Sequence, residues 1–176
     1  MNQAKNSHKL QNEIMRVIFL LIFFACAGLI GYALYLQLID GLLPCPLCIF
    51  QRIAYWLIGI TALFTFIHNP QSLGRHIYCG LIVLFSLVGA TVAGRQAWLI
   101  RFPEAFECGI SSEEAFLNGL PLAQWWPDMF EANGDCGDGT WQFLSLMLPD
   151  WSLLIFLAFG IIIGLLWYKK YNSINQ

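Results

Sequence analysis

Charged side chains are scarce in this chain: of 176 residues, 11% are Asp, Glu, Lys or Arg, against 58% hydrophobic. So little polar cover cannot enclose a soluble core of that size, which excludes an ordinary soluble domain. Internal repeats, low-complexity tracts and linkers are also missing, so one integral membrane domain over residues 1–176 is expected. A small-residue cleavage pattern is missing after the first apolar run. Lys5, Lys9 and Arg16 precede that run as the basic end of a signal peptide would, but the run is too long. A retained helix is expected instead.

What the chain has is apolar length. Val17–Leu36 is uncharged over twenty residues, and Ile77–Gly94 and Trp151–Tyr168 over eighteen each. A helix crossing roughly 30 Å of hydrocarbon needs about 20 apolar residues, so each can span. Ile53–Ile67 is shorter, but extended back to Leu47 it makes a fourth span that takes in Arg52. The expected fold class is therefore an all-α membrane protein, a four-helix transmembrane bundle with spans near 17–36, 47–67, 77–94 and 151–168.

Lys5, Lys9, Arg16, Arg75, Lys169 and Lys170 fall at the two termini and in the connection between the second and third spans. By the positive-inside rule these are cytoplasmic. Loops 37–46 and 95–150 then face the other side, the periplasm of a bacterial cell with the protein in its inner membrane. Nine of the eleven acidic residues lie from Glu104 to Asp150, which makes the long loop a docking surface. The same loop carries Trp98, Trp125, Trp126, Trp141 and Trp151, the residue type that prefers the membrane interface, so it is expected to lie along the membrane. Its apolar stretch from Phe116 to Phe130 is cut by Pro121 and Pro127. Short interfacial pieces follow, or a small folded loop with its own core. The polar tails 1–12 and 171–176 are expected to fray.

Six cysteines divide by depth. Cys26 and Cys79 lie inside spans and read as small hydrophobes. Cys45, Cys48, Cys108 and Cys136 lie in the outer loops, two in each, where disulfides form and persist. Cys45-Pro46-Leu47-Cys48 stands at a helix start, the arrangement that favours a reactive thiolate and an exchange-prone ring. Proline suits the first helical turn, where its missing N–H is not needed. A structural disulfide and half a zinc site are the competing readings. Zinc wants a second close pair, whereas 27 residues separate Cys108 from Cys136, and His8, His68 and His76 all fall on the cytoplasmic side. No metal is expected.

A guanidinium inside a span costs about 2.5–3.5 kcal/mol at the centre and less near the interface. Arg52 therefore calls for a task. It follows Cys48 by four residues, on the same helix face one turn on. There it could favour a thiolate at Cys48 and hydrogen-bond a carbonyl oxygen of a polar headgroup in the membrane; a snorkelling arginine is the alternative. Cys108 and Cys136 would close a loop worth roughly 3–4 kcal/mol in the chain-entropy model. Their Gly-rich neighbourhoods suggest an open, exchangeable bond equally well.

The run Pro44-Cys45-Pro46-Leu47-Cys48-Ile49-Phe50-Gln51-Arg52 resembles the signature of the DsbB disulfide-bond formation proteins. The resemblance extends to four spans, two cysteines in the second outer loop, the Gly134-Asp135-Cys136 triplet, and Trp141 with Phe143 before the last span. It implies a thiol–disulfide oxidoreductase that reoxidises a DsbA-type periplasmic thioredoxin-fold oxidase and passes electrons to a membrane quinone, ubiquinone or menaquinone. On that pattern Cys108 and Cys136 form the pair that meets the partner, and Cys45 and Cys48 form the pair that faces the quinone. Cys136 exchanges with Cys45, and Arg52 assists quinone binding. Some members have a histidine where this chain has Gln96, which keeps hydrogen bonding but cannot transfer a proton as histidine does. The implied partners are the oxidase, the quinone pool and the lipid bilayer, with no nucleic acid.

A vitamin K epoxide reductase-like protein would also pair loop cysteines with a membrane C-x-x-C, but there the loop cysteines come first in the chain. A small scaffold with inert disulfides leaves Arg52 without a task.

Overall fold

A computed structural model describes residues 2–70, 73–102, 112–134, 136 and 142–174, with side chains for 12–70, 73–102, 114–134, 136 and 142–168. Cys108, Asp135 and Trp141 lie outside the described residues. Four long helices dominate: α1 (Asn2–Ile39), α2 (Pro46–His68), α3 (Leu73–Arg101) and, last in the chain, α7 (Leu148–Ile174). Between α3 and α7 come α4 (Ser112–Asn118), α5 (Pro121–Trp125), α6 (Pro127–Phe130), and a hairpin of β1 (Gln142–Phe143) and β2 (Leu146–Met147).

Segments Asn12–Ile39, Pro46–His68, Leu73–Arg101 and Leu148–Tyr168 are each long and apolar enough to cross a membrane. They contain the four expected spans, but their ends reach further. Hydrocarbon thickness limits the apolar run, whereas capping and the next breaker limit the helix. α3 therefore carries on past Gly94 to Arg101, which puts Gln96 on a helix. The described parts of both tails are helical: α1 begins at Asn2 and α7 ends at Ile174. Once a long helix is nucleated, adding polar residues of fair helix propensity costs little.

α2 is bounded by side-chain chemistry at both ends. At its start Cys45 is the N-cap, with an extended backbone (φ −80°, ψ 164°), and its sulfur accepts the Cys48 N–H at 3.3 Å. At its end Asn69 takes the left-handed conformation (φ 41°) and donates its N–H to the Thr65 carbonyl at 3.0 Å, closing the helix before Pro70. Asparagine tolerates that conformation better than most residues.

α1 packs on α2, α2 on α3, and α3 on α7. At the centre of the bundle Phe156 of α7 is fully buried and stacks on Tyr55 of α2, centroids 4.2 Å apart. Gly89 makes room for this ring from α3: a Cβ there would stand 2.5–2.7 Å from it. The outward faces, including Leu21, Phe24, Leu87 and Leu165, are exposed and apolar, the surface that lipid would cover.

The long connection is pieced as Pro121 and Pro127 dictate, each opening a new short helix. Leu117 and Ala132 are buried against Ile49 of α2, and Met129 enters the main core. Both ends of the Asn118 side-chain amide hold the Ala132 backbone, each at 2.9 Å. These pieces are thus seated on the bundle as well as broken, while Trp125 remains 83% exposed. Arg101 at the end of α3 grips both carboxylate oxygens of Asp150, each at 2.9 Å, and Asp150 also accepts the Met147 N–H.

Candidate redox site

The N-cap geometry of Cys45 turns the first loop of α2 into a close thiol pair. The Cys45 sulfur donates to the Cys48 sulfur across 3.1 Å, and Cys45 itself is buried to 2% exposure. Its thiol is raised well above the usual thiol range, first by hydrogen bonding with the Cys136 side chain, then by that with Cys48, then by burial. Cys45 thus lies between two sulfurs, one from its own motif and one from the long connection.

Backbone contacts explain how Cys136 arrives there. The N–H groups of Asn133 and Gly134 both donate to the carbonyl of Pro44, each at 3.0 Å. Pro44 immediately precedes Cys45, so the chain leading to Cys136 is hung on the residue beside its sulfur partner. Cys45, Leu47 and Cys136 form one buried cluster against which Cys48 packs.

Gln96 completes the sulfur environment from α3. Its Nε2 donates to Cys48 Sγ at 3.1 Å and to Cys45 Sγ at 3.4 Å, while its Oε1 accepts from Gln51 Nε2 at 2.6 Å. Both glutamines are buried. A thiolate sulfur can only accept, so presenting the NH2 end of Gln96 to it is the orientation that favours a thiolate, and Gln51 occupies the other end.

Arg52 lies one turn after Cys48 and is buried to 7% exposure. Its Nη1 donates to Gln37 Oε1 at 2.9 Å and to the Asp128 carbonyl at 3.4 Å, and its Nη2 to the Ala33 carbonyl at 3.5 Å. Gln37 Nε2 donates to the same Asp128 carbonyl at 3.0 Å. The guanidinium therefore joins α1, α2 and α6 of the long connection. Burial of a cation is tolerable only with such partners.

These groups open on one cavity of ≈ 450 Å³ lined by Cys48, Gln51, Arg52 and Gln96, with apolar walls that include Leu29, Ala33 and Leu36 of α1 and Ile155 of α7. Both α1 and α7 thus contribute to its walls. A second cavity of ≈ 500 Å³, lined by His76, Gly164, Trp167 and Tyr168, contains no cysteine and belongs to the other end of α3 and α7.

Of the residues expected at the site, Cys45, Cys48, Cys136 and Gln96 come together, and Arg52 shares the cavity with Cys48 and Gln96. Cys108 lies outside the described residues. Sequence reasoning missed Gln51 and Gln37. Gln51 stood inside the quoted motif, and its position three residues after Cys48 was the available signal; Gln37 carried none, since only folding brings α1 to Arg52.

The model of the family described as disulfide bond formation protein DsbB matches residues 15–166. A disulfide bond formation protein B of Nitrosomonas eutropha is 91% identical over 162 residues, covering 92% of this chain and 100% of that protein. The protein of that name from Nitrosomonas europaea is 83% identical, over 89% of this chain and 95% of its own length. More distant is one from Azoarcus sp., 44% identical over 80% of this chain and 85% of its own. A four-helix membrane fold agrees with these likenesses, and the chain belongs to the DsbB family of disulfide bond formation proteins.

Proposed function

We propose that this chain oxidises a DsbA-type periplasmic dithiol protein and delivers the electrons to a membrane quinone, as a single inner-membrane domain with both termini in the cytoplasm and its two cysteine loops in the periplasm. The observation that carries the reading is the division of labour within one C-x-x-C pair. Cys48 opens with Arg52 and Gln96 on an apolar-walled cavity lined by residues of α1 and α7, whereas Cys45 meets Cys136 from the long connection. One pair thereby serves both a reactant held in the cavity and a sulfur carried by the long connection.

The exchange runs through sulfur. A thiolate of the partner attacks Cys108 in a Cys108–Cys136 disulfide, forming a mixed disulfide and releasing Cys136. Cys136 attacks Cys45 in a Cys45–Cys48 disulfide, giving Cys45–Cys136 and releasing Cys48 as a thiolate beside the Gln96 amide. The second partner thiolate then displaces Cys108 and leaves the partner oxidised. Cys108 returns to Cys136, so that Cys45 and Cys48 hold the two electrons. Direct attack at each step needs only neighbouring sulfurs.

A quinone fits the cavity on three grounds. Its volume of ≈ 450 Å³ suits one ring with part of its tail, its walls are apolar, and the Arg52 guanidinium in its lining is a donor for a carbonyl oxygen. Such a ring supplies a two-electron, two-proton sink that returns Cys45 and Cys48 to the disulfide. Because a DsbA-type partner is strongly oxidising, near about −120 mV, and about 30 mV is worth about 1.4 kcal/mol in a two-electron couple, a sink of this kind is needed to draw electrons from it.

The test is quinol formation by the purified protein with a reduced DsbA-type partner and a short-chain quinone. Wild type should turn over and Cys48→Ser should not. Full activity in Cys48→Ser would sink the assignment, and equilibration against the partner at known potentials reads the direction.

A further inference from the structure

We infer that Gly134 is a positioning residue: its missing side chain lets the long connection seat on Pro44, and that seating holds Cys136 against Cys45 and so sets the rate of exchange between the two cysteine pairs. The inference rests on the exchange route proposed above and assigns its rate to a residue outside the sulfur chemistry.

The demand at Gly134 is for space rather than for an unusual backbone angle, since Gly41 is the one described glycine with positive φ. A Cβ on Gly134 would collide with the Leu43 carbonyl oxygen, and would stand 2.8 Å from the Leu43 carbonyl carbon and 3.1 Å from that of Pro44. These are backbone atoms of the segment that leads into Cys45, and no side-chain rotation relieves the overlap. Only a retreat of one strand of chain from the other does.

What such a retreat would break is well defined. Asn133 and Gly134 place two N–H donors on one carbonyl, both at 3.0 Å. Just before them Ala132 is fully buried and clamped by Asn118. The segment is thus fixed on its N-terminal side, and a displacement at Gly134 passes either to its C-terminal side, where Cys136 follows two residues on, or to the Leu43–Pro44 backbone that leads into Cys45; both change the approach of the two sulfurs. Cys136 is buried at 7% exposure. Sulfur exchange requires a near-linear approach, and a shift of about 1 Å at a reacting atom costs up to about a hundredfold in rate.

The experiment compares two disulfides in the detergent-purified full chain. With Cys48→Ser and Cys108→Ser in place, Cys45–Cys136 formation is driven by oxidised glutathione, each bond consuming two thiols and releasing two reduced glutathiones. Adding Gly134→Ala should slow this at least about tenfold. With Cys108→Ser and Cys136→Ser instead, Cys45–Cys48 formation should change less than about twofold on adding Gly134→Ala, because that pair lies within one helix turn. Equal Cys45–Cys136 rates with and without the substitution overturn the inference. So does an equal loss of both disulfides, which marks general damage. Neither measurement involves quinone or partner, so failure of wild type to make quinol would count against the proposed function alone.

Discussion

The side-chain amide of Gln96 on α3 reaches Cys48 on α2, with Nε2 3.1 Å from Sγ, while Gln51 holds its oxygen at 2.6 Å. A neutral donor therefore stands where a developing thiolate would need one, with its orientation dictated by a second amide. Hydrogen bonds to charged groups contribute about 1.5–3 kcal/mol. Gln96→Leu should accordingly slow quinol formation by about tenfold to a hundredfold and slow iodoacetamide alkylation of Cys48. Gln96→His keeps a donor and should keep most of the activity. An unchanged alkylation rate in Gln96→Leu would remove the amide from the mechanism.

Arg52 is tied to Gln37 and to two main-chain carbonyls. Removing it strips a donor from the cavity and leaves those acceptors buried without their cation, at about 1–3 kcal/mol. Arg52→Met is expected to raise the KM for a short-chain quinone about tenfold or more, with a smaller change in kcat. Arg52→Lys should recover part of the loss, since a point charge replaces a planar fork. A normal KM in Arg52→Met, measured by quinol absorbance, would detach this residue from quinone binding.

Cys45 has its thiol raised chiefly by Cys136, with Cys48 and burial adding to it. A raised thiol holds its proton to higher pH, so less thiolate is present at any given pH, and alkylation of Cys45 near neutrality should lag behind that of a free thiol. Cys136→Ala removes the leading cause. The alkylation rate of Cys45 at fixed pH should then rise, as read by mass spectrometry of the modified peptide. A fall in rate would contradict the assigned cause.

Gly89 faces the Phe156 ring, and an added Cβ would lie 2.5–2.7 Å from it. That ring is fully buried and stacked on Tyr55, so it has little room to yield. Overpacking of this kind costs about 1–3 kcal/mol. Gly89→Ala should lower the thermal unfolding temperature in detergent, and Phe156→Leu in the same chain should restore part of it. A Gly89→Ala protein as stable as wild type would mean that α3 and α7 separate there without penalty.

Much of the architecture was legible from residues alone, because it follows from one-dimensional properties. Bilayer thickness demands apolar runs of a certain length, and four were present. Pro121 and Pro127 had to break the long connection wherever it folded. The start of α2 could be read from Cys45-Pro46-Leu47-Cys48, and Arg52 announced itself by the cost of a cation at that depth. These signals are local, and no tertiary contact was needed to see them.

The tertiary structure decided which distant groups surround the sulfurs. Gln96 is separated from Cys48 by much of two helices, and an uncharged amide in an apolar helix has no signature that distinguishes a sulfur donor from a bystander. Its pairing with Gln51, the reach of Gln37 from α1 to Arg52, and the seating of Gly134 on Pro44 all require segments far apart in the chain to approach within about 3 Å. Helix lengths and chemical types are written along the chain, but such approaches depend on how helices pack and which face each turns inward. That is why Cys45, Cys48 and Arg52 were recognisable as a motif and Gln96 only through the family resemblance, while the contacts of Gln51, Gln37 and Gly134 became visible only when α1, α2, α3 and the long connection were brought together.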